Sequence, residues 1–278
     1  MLETIIQTAI ENATTDPSDY IAEDDLLHCG HCHEAKQCRL IMNDKEVIVP
    51  CLCKCEQERI AREEEERKQR ERMSQVRQNK IAGLPMLTMA SWTFENDDHR
   101  DPKLSDICKR YADKFEDLKG RSVNGLLLYG SVGSGKTYGA VCIANALMDK
   151  GYKVTVRSFS ALAAEMSSYT DGRMEYMRWL SKQDLLVLDD FGVERNTPFM
   201  NELVFNVIDE RTTQGKPMII TTNMDIADMT DTQSLQNARV YSRILGSCIP
   251  IRVVTKDRRI EDNVYVKRAL GLTTTEGK

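Results

Sequence analysis

The stretch Gly130–Thr137, GSVGSGKT, is the most informative part of this 278-residue chain, because it fits the phosphate-cradling pattern G-x-x-x-x-G-K-[ST]. An apolar run at residues 125–129 precedes it and predicts a buried strand, and residues 138–150 have the apolar spacing of a helix. Glycines let successive backbone N–H groups converge on one anion, and the start of the following helix adds a positive dipole. This order of strand, loop and helix predicts a phosphate-binding loop.

The residues of this loop are candidate ligands of a nucleotide. Lys136 is expected to reach the β- and γ-phosphates, and the Thr137 hydroxyl is expected to coordinate Mg²⁺. The other candidates belong to the loop or to the first helical turn: Gly130, Ser131, Val132, Gly133, Ser134, Gly135 and Tyr138. ATP and Mg²⁺ are therefore the expected cofactors, and the alternative is a glycine-rich turn without a ligand.

A second apolar run, residues 184–189, is expected to form a strand. It ends at Asp189, and Asp190 follows directly. In a phosphate-loop enzyme the first acid holds Mg²⁺ beside Thr137, and the second polarises the attacking water as a general base. The alternative is a strand that simply enters a turn. The distance of this pair from the loop favours the catalytic interpretation.

Two further features complete the expected site. The buried strand 217–222 ends at Asn223, whose carboxamide is expected to hold the lytic water and sense the γ-phosphate; the alternative is an Asx turn. Arg239 and Arg243 lie one helical turn apart and share a face. They are either surface residues in salt bridges or an arginine finger that completes the site of a neighbouring subunit.

The second half of the chain alternates strand-like and helix-like segments. This alternation predicts an α/β three-layer sandwich with a mostly parallel sheet. The expected strands are residues 125–130, 152–157, 184–189, 217–222 and 248–254, and the expected helices are residues 136–150, 159–181, 198–214 and 232–246.

Composition excludes several classes of protein. A net charge of −5 excludes a chain that binds nucleic acid through overall positive charge, so DNA contacts must come from a local basic surface or an oligomer. No apolar run is long enough to span a bilayer, and the first residues lack the features of a signal peptide. We therefore expect a cytoplasmic protein without a membrane partner, in which thiols stay reduced. Basic residues near the C-terminus are candidate DNA contacts or plain charged surface: Arg252, Lys256, Arg258 and Arg259.

Six of the nine cysteines lie between Cys29 and Cys55. A C-x₂-C pair followed by a second close cluster suits a tetrahedral structural Zn²⁺ with thiolate ligands. The favoured ligands are Cys29, Cys32, Cys51 and Cys53, with Cys55 as an alternative to one of the last two. Weaker candidates are His28, His31, His33 and Cys38, and the thiols could also remain without metal. The other three cysteines, Cys108, Cys142 and Cys248, are expected to be buried small hydrophobes.

The motifs together resemble the DnaC/DnaI-like helicase loaders, which are AAA+ ATPases related to the IstB transposition helpers. The resemblance rests on LLLYGSVGSGKTYGAVCIANAL, on LLVLDDFGVERNTPFMNELVFNVIDERTTQGKPMIITTN and on ARVYSRIL, and it covers about residues 81–259. It implies the P-loop NTPase fold of the AAA+/ASCE class. It also implies that Lys136 and Thr137 form the Walker A pair, that Asn223 is sensor 1, and that Arg243 or Arg239 is the finger.

The resemblance further implies an organisation and a function. We expect a helical and cysteine-rich zinc module at residues 1–55 that binds the helicase, a charged helical linker at 56–80, an AAA+ ATPase domain at 81–270 and a tail at 271–278. The implied function is an ATPase that loads a DnaB-like hexameric helicase onto single-stranded DNA and forms a homo-oligomer with ATP. The alternative is an IstB-like ATPase helper of a transposase. The partner helicase, the replicon and the oligomer size stay open.

Overall fold

The structure is a computed structural model that describes residues 16–42, 44–168, 173–193, 197–255, 257, 266–267 and 270. The chain divides into two compact units, Met1–Met73 and Ser74–Lys278, and the division falls within the charged segment 56–80. Most of the amphipathic pattern at residues 1–22 and the tail 271–278 lie outside the described residues. Within the described part of the chain, no helix has the length and apolarity that a membrane span requires.

The first unit contains two small antiparallel ribbons, which the sequence analysis did not foresee. The elements in order are β1 (Tyr20–Ile21), β2 (Leu27–His28), β3 (Gln37–Met42), β4 (Lys45–Pro50) and the start of α1 (Lys54–Gly83). β1 pairs with β2, and β3 pairs with β4 over their full lengths. The helix expected for the charged segment is present, and Arg59 bridges Glu56 and Glu63 along its surface at 2.6 Å each. Such pairs support an exposed helix that has no apolar face.

The second unit is built around five parallel strands. After a 3₁₀ helix at Leu87–Ser91, the helices are α2 (Pro102–Asp113), α3 (Phe115–Leu118), α4 (Lys136–Asp149), α5 (Phe159–Ser168), α6 (Arg173–Ser181), α7 (Pro198–Thr213), α8 (Ile226–Thr230) and α9 (Leu235–Ser247). The strands are β5 (Gly125–Gly130), β6 (Val154–Ser158), β7 (Leu185–Phe191), β8 (Met218–Thr222) and β9 (Cys248–Val253). The predicted alternation of strands and helices is confirmed.

Helices cover both faces of the sheet. Leu126 and Leu128 of β5 point into one apolar cluster with α2 and α4, whereas Leu127 points into a second cluster with α5, α7 and α9. Successive side chains of a strand face opposite sides, so the alternation shows that β5 is buried on both faces. The expected three-layer sandwich is confirmed. Its buried residues include the three cysteines expected there, and burial raises the pKa of Cys108, Cys142 and Cys248 to about 12.

The strand order positions the site. The order is β6-β7-β8-β5-β9, so β8 lies between the strand that precedes the phosphate loop and the strand that ends in the acids. All neighbouring pairs are parallel, and their carboxyl ends therefore meet at one edge of the sheet. Ligands of open α/β sheets bind at that edge. The tips of β5, β7 and β8 form the candidate nucleotide site.

Candidate nucleotide site and cysteine cluster

The loop between β5 and α4 turns on glycines with positive φ angles. Gly130 has a φ of 133°, and Gly135, which caps the N-terminus of α4, has a φ of 95°. A side chain disfavours these conformations, and a Cβ on Gly130 would lie 2.2 Å from the carbonyl oxygen of Val253. Val132 between them is exposed. The loop thus ends at the positive pole of the α4 dipole, where an anion is stabilised.

The segment that follows β9 holds the outer part of the loop. Ser131 Oγ donates to the carbonyl oxygen of Thr255 at 3.2 Å, and Thr255 Oγ1 donates to the carbonyl oxygen of Ser134 at 3.1 Å. Gly133 lies against Asp257, because an added Cβ would be 2.0 Å from a carboxylate oxygen. These contacts connect residues more than a hundred positions apart, so no local pattern could predict them.

The ammonium group of Lys136 is buried inside the loop. Its Nζ donates to the carbonyl oxygens of Ser131 at 2.7 Å and Gly130 at 3.0 Å, and to Oδ1 of Asn223 at 2.9 Å. Asn223 can reach the lysine because it follows β8, which lies next to β5 in the sheet. Oxygen acceptors therefore hold the positive charge of Lys136 inside the loop, next to where the phosphates are expected.

The two residues expected to hold Mg²⁺ lie side by side. Thr137 Oγ1 donates to Oδ1 of Asp189 at 2.8 Å, and Thr221 Oγ1 donates to the same oxygen at 2.6 Å. Hydroxyl and carboxylate oxygens are hard ligands of the type that Mg²⁺ prefers. The donor set of Thr137 and Asp189 therefore fits the ion by its chemistry.

Asp190 lies at the exposed side of the same edge. It has a φ of 54°, which is uncommon for a residue with a Cβ, and its backbone N–H donates to Thr221 Oγ1 at 3.0 Å. Asp189 is half-buried and Asp190 is exposed, so the second acid lies on the solvent side of the end of β7.

The two arginines differ in their surroundings. Arg243 Nε donates to Oδ1 of Asp209 on α7 at 2.5 Å, and its guanidinium lies 4.8 Å from the centre of the Phe205 ring. Arg239 is exposed, and within the described residues its backbone carbonyl accepts from Arg243 at 3.3 Å. The structure thus brings neither arginine to the phosphate loop of its own chain, and their role in a neighbouring subunit stays a prediction.

The segment before the sheet packs against α4 beside the loop. Asn145 of α4 is fully buried, and its Nδ2 donates to the carbonyl oxygens of Met89 at 2.8 Å and Trp92 at 2.9 Å. The rings of Trp92 and Tyr138 are 5.6 Å apart, and the Tyr138 hydroxyl donates to the carbonyl oxygen of Thr93 at 3.2 Å. Burial raises the pKa of Tyr138 to about 12, which keeps this donor protonated.

A cleft opens beside Gly135, next to Tyr138. It is lined by Phe94, Asp97, Leu104, Ser105, Cys108, Gly135, Tyr138, Gly139 and Cys142. Ser105 Oγ donates a short hydrogen bond to Asp97 within it. The cleft lies between α2, the lead-in segment and the first turn of α4.

Of the basic residues considered for DNA, only Arg252 can be located. It is exposed on β9, whereas Lys256, Arg258 and Arg259 lie outside the described residues.

A cluster of four thiols lies in the first unit. The Sγ atoms of Cys29, Cys32, Cys53 and Cys55 all lie within 4.8 Å of one another. The shortest separations are 3.4 Å, from Cys55 to Cys29 and from Cys55 to Cys53. The arrangement follows from two local structures. A turn after β2 carries the first pair, and the start of α1 carries the second, flanking Lys54.

Electrostatics within the cluster favour a cation. The backbone N–H groups of Cys55 and Glu34 lower the pKa of Cys32 to about 6, which makes it a thiolate at neutral pH. Hydrogen bonds of the Cys55 thiol to the sulfurs of Cys53 and Cys29 raise the pKa of Cys55, because they stabilise its protonated form. Four sulfur ligands at these separations could hold a tetrahedral metal ion.

The expected ligand set needs one correction. Cys51 is not part of the cluster, and Cys55, the alternative, takes its place. Cys51 extends the β3–β4 ribbon, because its N–H donates to the carbonyl oxygen of Lys36. Its Sγ donates to the carbonyl oxygen of Ala35 at 3.3 Å. The sequence spacing could not show which two of Cys51, Cys53 and Cys55 join the cluster. This depends on where β4 ends and where α1 begins.

The weaker metal candidates also lie outside the cluster. His28 contacts Asp24 and the carbonyl oxygen of His33, and hydrogen bonds to both raise the pKa of His28. His33 Nδ1 contacts the Tyr20 hydroxyl at 3.1 Å, and His31 lies 3.9 Å from Asp16. Cys38, on β3, is likewise no member of the four-thiol group found among the described residues.

Sequence comparison assigns the family. The chain belongs to the family described as IstB-like ATP binding protein, which matches residues 56–259. The matched region contains the phosphate loop, the acid pair, Asn223 and both arginines, so the candidate nucleotide site lies within the part of the chain that matches an ATP-binding family. The expected class of ATP-binding protein with a P-loop fold is thereby confirmed.

The proteins similar to this chain include two curated helicase loaders and a solved structure. It is 26% identical over 286 residues to the replicative helicase loader DnaI of Bacillus subtilis, covering 92% of this chain and 86% of that protein. It is 25% identical over 146 residues to the replicative helicase loader DnaC of Escherichia coli, covering 51% of this chain and 57% of that protein. A crystal structure of DnaI aligns with a TM-score of 0.55 and 24% identity, over 66% of this chain and 100% of that one. At this identity, the similarity to the DnaI crystal structure shows a shared fold.

Sequence reasoning missed two residues that shape the site, Thr221 and Asn145. A signal for the first existed: Thr221 and Thr222 are polar residues at the end of a strand that is otherwise aliphatic, and both are fully buried. Buried hydroxyl groups need partners. Asn145 is similarly a polar residue within an apolar helix face, and its partners could be found only in the folded chain.

Proposed function

We propose that the protein is an ATP-dependent helicase loader, which binds a DnaB-like replicative helicase and deposits it on single-stranded DNA at replication initiation. One observation carries this proposal. The similarity to the loader DnaI extends over 92% of the chain, so it includes the first unit as well as the nucleotide site. A protein that shared only the ATP-binding domain with the loaders would lack the first part of that match.

The geometry supports ATP hydrolysis at the loop. Lys136 binds the β- and γ-phosphates, and Thr137 and Asp189 hold Mg²⁺, which neutralises the charge of the phosphates when bound. Asp190 accepts a proton from the attacking water as general base. Asn223 orients this water, and its hydrogen bond with Lys136 lets it respond to the γ-phosphate.

The site is completed by a second copy of the chain. Arg239 or Arg243 of the neighbouring subunit stabilises the charge that develops on the γ-phosphate. This proposal implies that ATP drives formation of a homo-oligomer. It also agrees with the position of both arginines on α9, away from the loop of their own chain.

The thiol cluster holds a structural Zn²⁺. Cys29, Cys32, Cys53 and Cys55 supply four sulfur ligands, and the small first unit has little apolar core, so the metal contributes much of its folding free energy. In this proposal the zinc-containing unit binds the helicase, and the nucleotide-bound units bind single-stranded DNA. The protein then acts in the cytoplasm, where the replicating DNA is.

A loading assay tests the function. We expect the full-length protein to bind a hexameric replicative helicase from its host, and to increase with ATP the amount of helicase retained on single-stranded DNA circles. Cys29→Ser should abolish helicase binding, whereas Cys38→Ser, a neighbouring cysteine outside the cluster, should retain it. Failure of the wild-type protein to bind any replicative helicase refutes the proposal.

A second candidate is an ATPase helper of a DNA transposase. The match to the IstB-like family over residues 56–259 supports this candidate, whereas the thiol cluster, which lies outside that match, does not. The two candidates differ in their DNA. A helper of this kind acts on duplex target DNA, so ATP-dependent binding of a 50-base-pair duplex in preference to a single strand of about equal length would favour it over the loader.

A further inference from the structure

One residue of β8 faces both acids of β7. The parallel register pairs Leu188 with Ile220 and then Phe191 with Thr222. Two residues of β7, Asp189 and Asp190, therefore lie opposite the single residue Thr221. This is the arrangement of a β-bulge, in which the extra residue loses its regular ladder partner and a side chain is turned to a new direction.

The Thr221 hydroxyl fills the bulge. Its Oγ1 accepts the N–H of Asp190 at 3.0 Å and donates to Oδ1 of Asp189 at 2.6 Å. Thr221 is fully buried, so these hydrogen bonds are shielded from water. A hydroxyl has one proton to donate and lone pairs to accept, and here both functions are used on the two consecutive acids.

Each contact has a consequence for an acid. Oδ1 of Asp189 receives hydrogen bonds from Thr137 and Thr221, and two donors on one oxygen fix the rotation of the carboxylate. Asp190 has a φ of 54°, a conformation that a residue with a Cβ keeps only where its surroundings hold it. The bond from its N–H to Thr221 is one such restraint.

We propose that Thr221 is a positioning residue for ATP hydrolysis, whose hydroxyl sets the orientation of the Mg²⁺-binding acid and of the catalytic acid together. This rests on the ATPase proposed above. Thr221 lies in β8 two residues before Asn223, which directly follows the strand and receives the hydrogen bond of Lys136. The strand thus connects the acids to the residue that contacts the phosphate-binding lysine.

The neighbouring Thr222 offers a matched control. It is equally buried, and its Oγ1 donates to the carbonyl oxygen of Phe191 at 2.7 Å and accepts the N–H of Met224 at 3.1 Å. Thr222→Val therefore also removes a buried hydroxyl from β8, and with it two hydrogen bonds. It leaves the hydrogen bonds to both acids intact.

The experiment compares Thr221→Val, Thr221→Ser and Thr222→Val in the full-length protein. The readouts are kcat and the Kd of a fluorescent non-hydrolysable ATP analogue, with and without Mg²⁺. For Thr221→Val we expect kcat to fall about 10–100-fold. The Mg²⁺-dependent gain in analogue affinity should fall about tenfold, because losses of this size follow the removal of a group that orients a metal ligand. The Kd without Mg²⁺ should stay within about twofold, because the phosphate loop is unchanged.

The two other variants separate orientation from packing. Thr221→Ser retains the hydroxyl and should restore both quantities to within about threefold of wild type, while Thr222→Val should change neither by more than about twofold. If Thr221→Val does not fold, Thr221→Ala removes the hydroxyl with less steric change. The proposal is overturned if the variant that lacks the Thr221 hydroxyl keeps the wild-type gain in analogue affinity with Mg²⁺. It is also overturned if Thr221→Ser or Thr222→Val loses as much of that gain and of kcat as Thr221→Val does.

Failure of the proposed function gives a different result. If the wild-type protein does not bind the analogue, the assignment of the phosphate loop is wrong. If it binds the analogue equally with and without Mg²⁺, the assignment of Thr137 and Asp189 as Mg²⁺ ligands is wrong. If wild type binds with Mg²⁺ but hydrolyses too slowly for kcat to be measured, the Mg²⁺-dependent Kd still decides the role of Thr221.

Discussion

Nζ of Lys136 donates a 2.9 Å hydrogen bond to Oδ1 of Asn223, and this bond joins the phosphate loop to the tip of β8 across 87 residues of sequence. The bond exists because β8 lies beside β5 in the sheet. It gives the loop lysine a partner that ATP must share or displace.

Lys136→Ala should abolish ATP hydrolysis, with a fall in kcat/KM of at least about 100-fold, because the charge that stabilises the transferring phosphoryl group is removed. Steady-state phosphate release measures this. Lys150→Ala, at the other end of α4, removes an exposed lysine that caps a helix, and it should hydrolyse ATP at the wild-type rate. A Lys136→Ala variant as active as wild type would refute the assignment of the loop.

Asn223→Ala should slow hydrolysis about 10–100-fold while leaving the Kd for ATP within about threefold. The carboxamide is expected to orient the water and not to hold the nucleotide, so kcat and binding respond differently. Single-turnover kinetics together with equilibrium nucleotide binding separate the two. Loss of binding in parallel with kcat would instead show that Asn223 only supports Lys136.

Subunits carrying Arg243→Ala, mixed with subunits carrying Asp190→Asn, should recover part of the ATPase activity that each lacks alone. In a mixed oligomer, an intact site pairs Asp190 of one chain with Arg243 of another. The same mixture with Arg239→Ala identifies which arginine acts. If no mixture is more active than its separate components, the arginines act within their own chain or not at all.

Cys55→Ser should lose bound zinc, whereas Cys51→Ser should retain about one zinc per chain. Both changes remove a thiol from the same short segment, but only Cys55 belongs to the four-thiol cluster. Elemental analysis of purified protein measures the content, and loss of metal should also unfold the first unit. Equal zinc in the two variants would contradict the ligand set that the structure indicates.

Arg211→Met should lower the free energy of unfolding by about 3 kcal/mol, because it leaves buried carbonyl oxygens without a donor. Arg211 is 2% exposed and donates to the carbonyl oxygens of Gln183 at 2.7 Å, Asp184 at 3.4 Å and Pro217. Burial lowers its pKa to about 10, so it stays charged at neutral pH. Urea unfolding measures the change.

The matched control for Arg211 is Arg178→Met on α6. Arg178 is exposed, and its replacement should change the free energy of unfolding by no more than about 0.5 kcal/mol. A similar stability of both variants would show that the carbonyl oxygens bonded by Arg211 find other partners.

Local patterns predicted much of the ATP-binding unit. The loop Gly130–Thr137 is contiguous, and its function depends on backbone conformations that neighbouring residues determine. The five strands of the sheet were each located to within a few residues, because buried parallel strands are short apolar runs between helices. The small strands of the first unit were missed, since two-residue strands and largely exposed ribbons carry no such pattern.

Residue types and their local order therefore specified the nucleotide loop, the succession of strands and helices, and the side chains available for phosphate, Mg²⁺ and zinc. Which of these side chains meet depends on the folded chain. Cys55 replaces Cys51 because a helix begins between Cys53 and Cys55, and Thr221 joins Asp189 and Asp190 because the register of β7 and β8 shifts at that point. The physical reason is the same in both cases. Residue type is a local property, whereas contact depends on the pairing of segments that are distant in the chain.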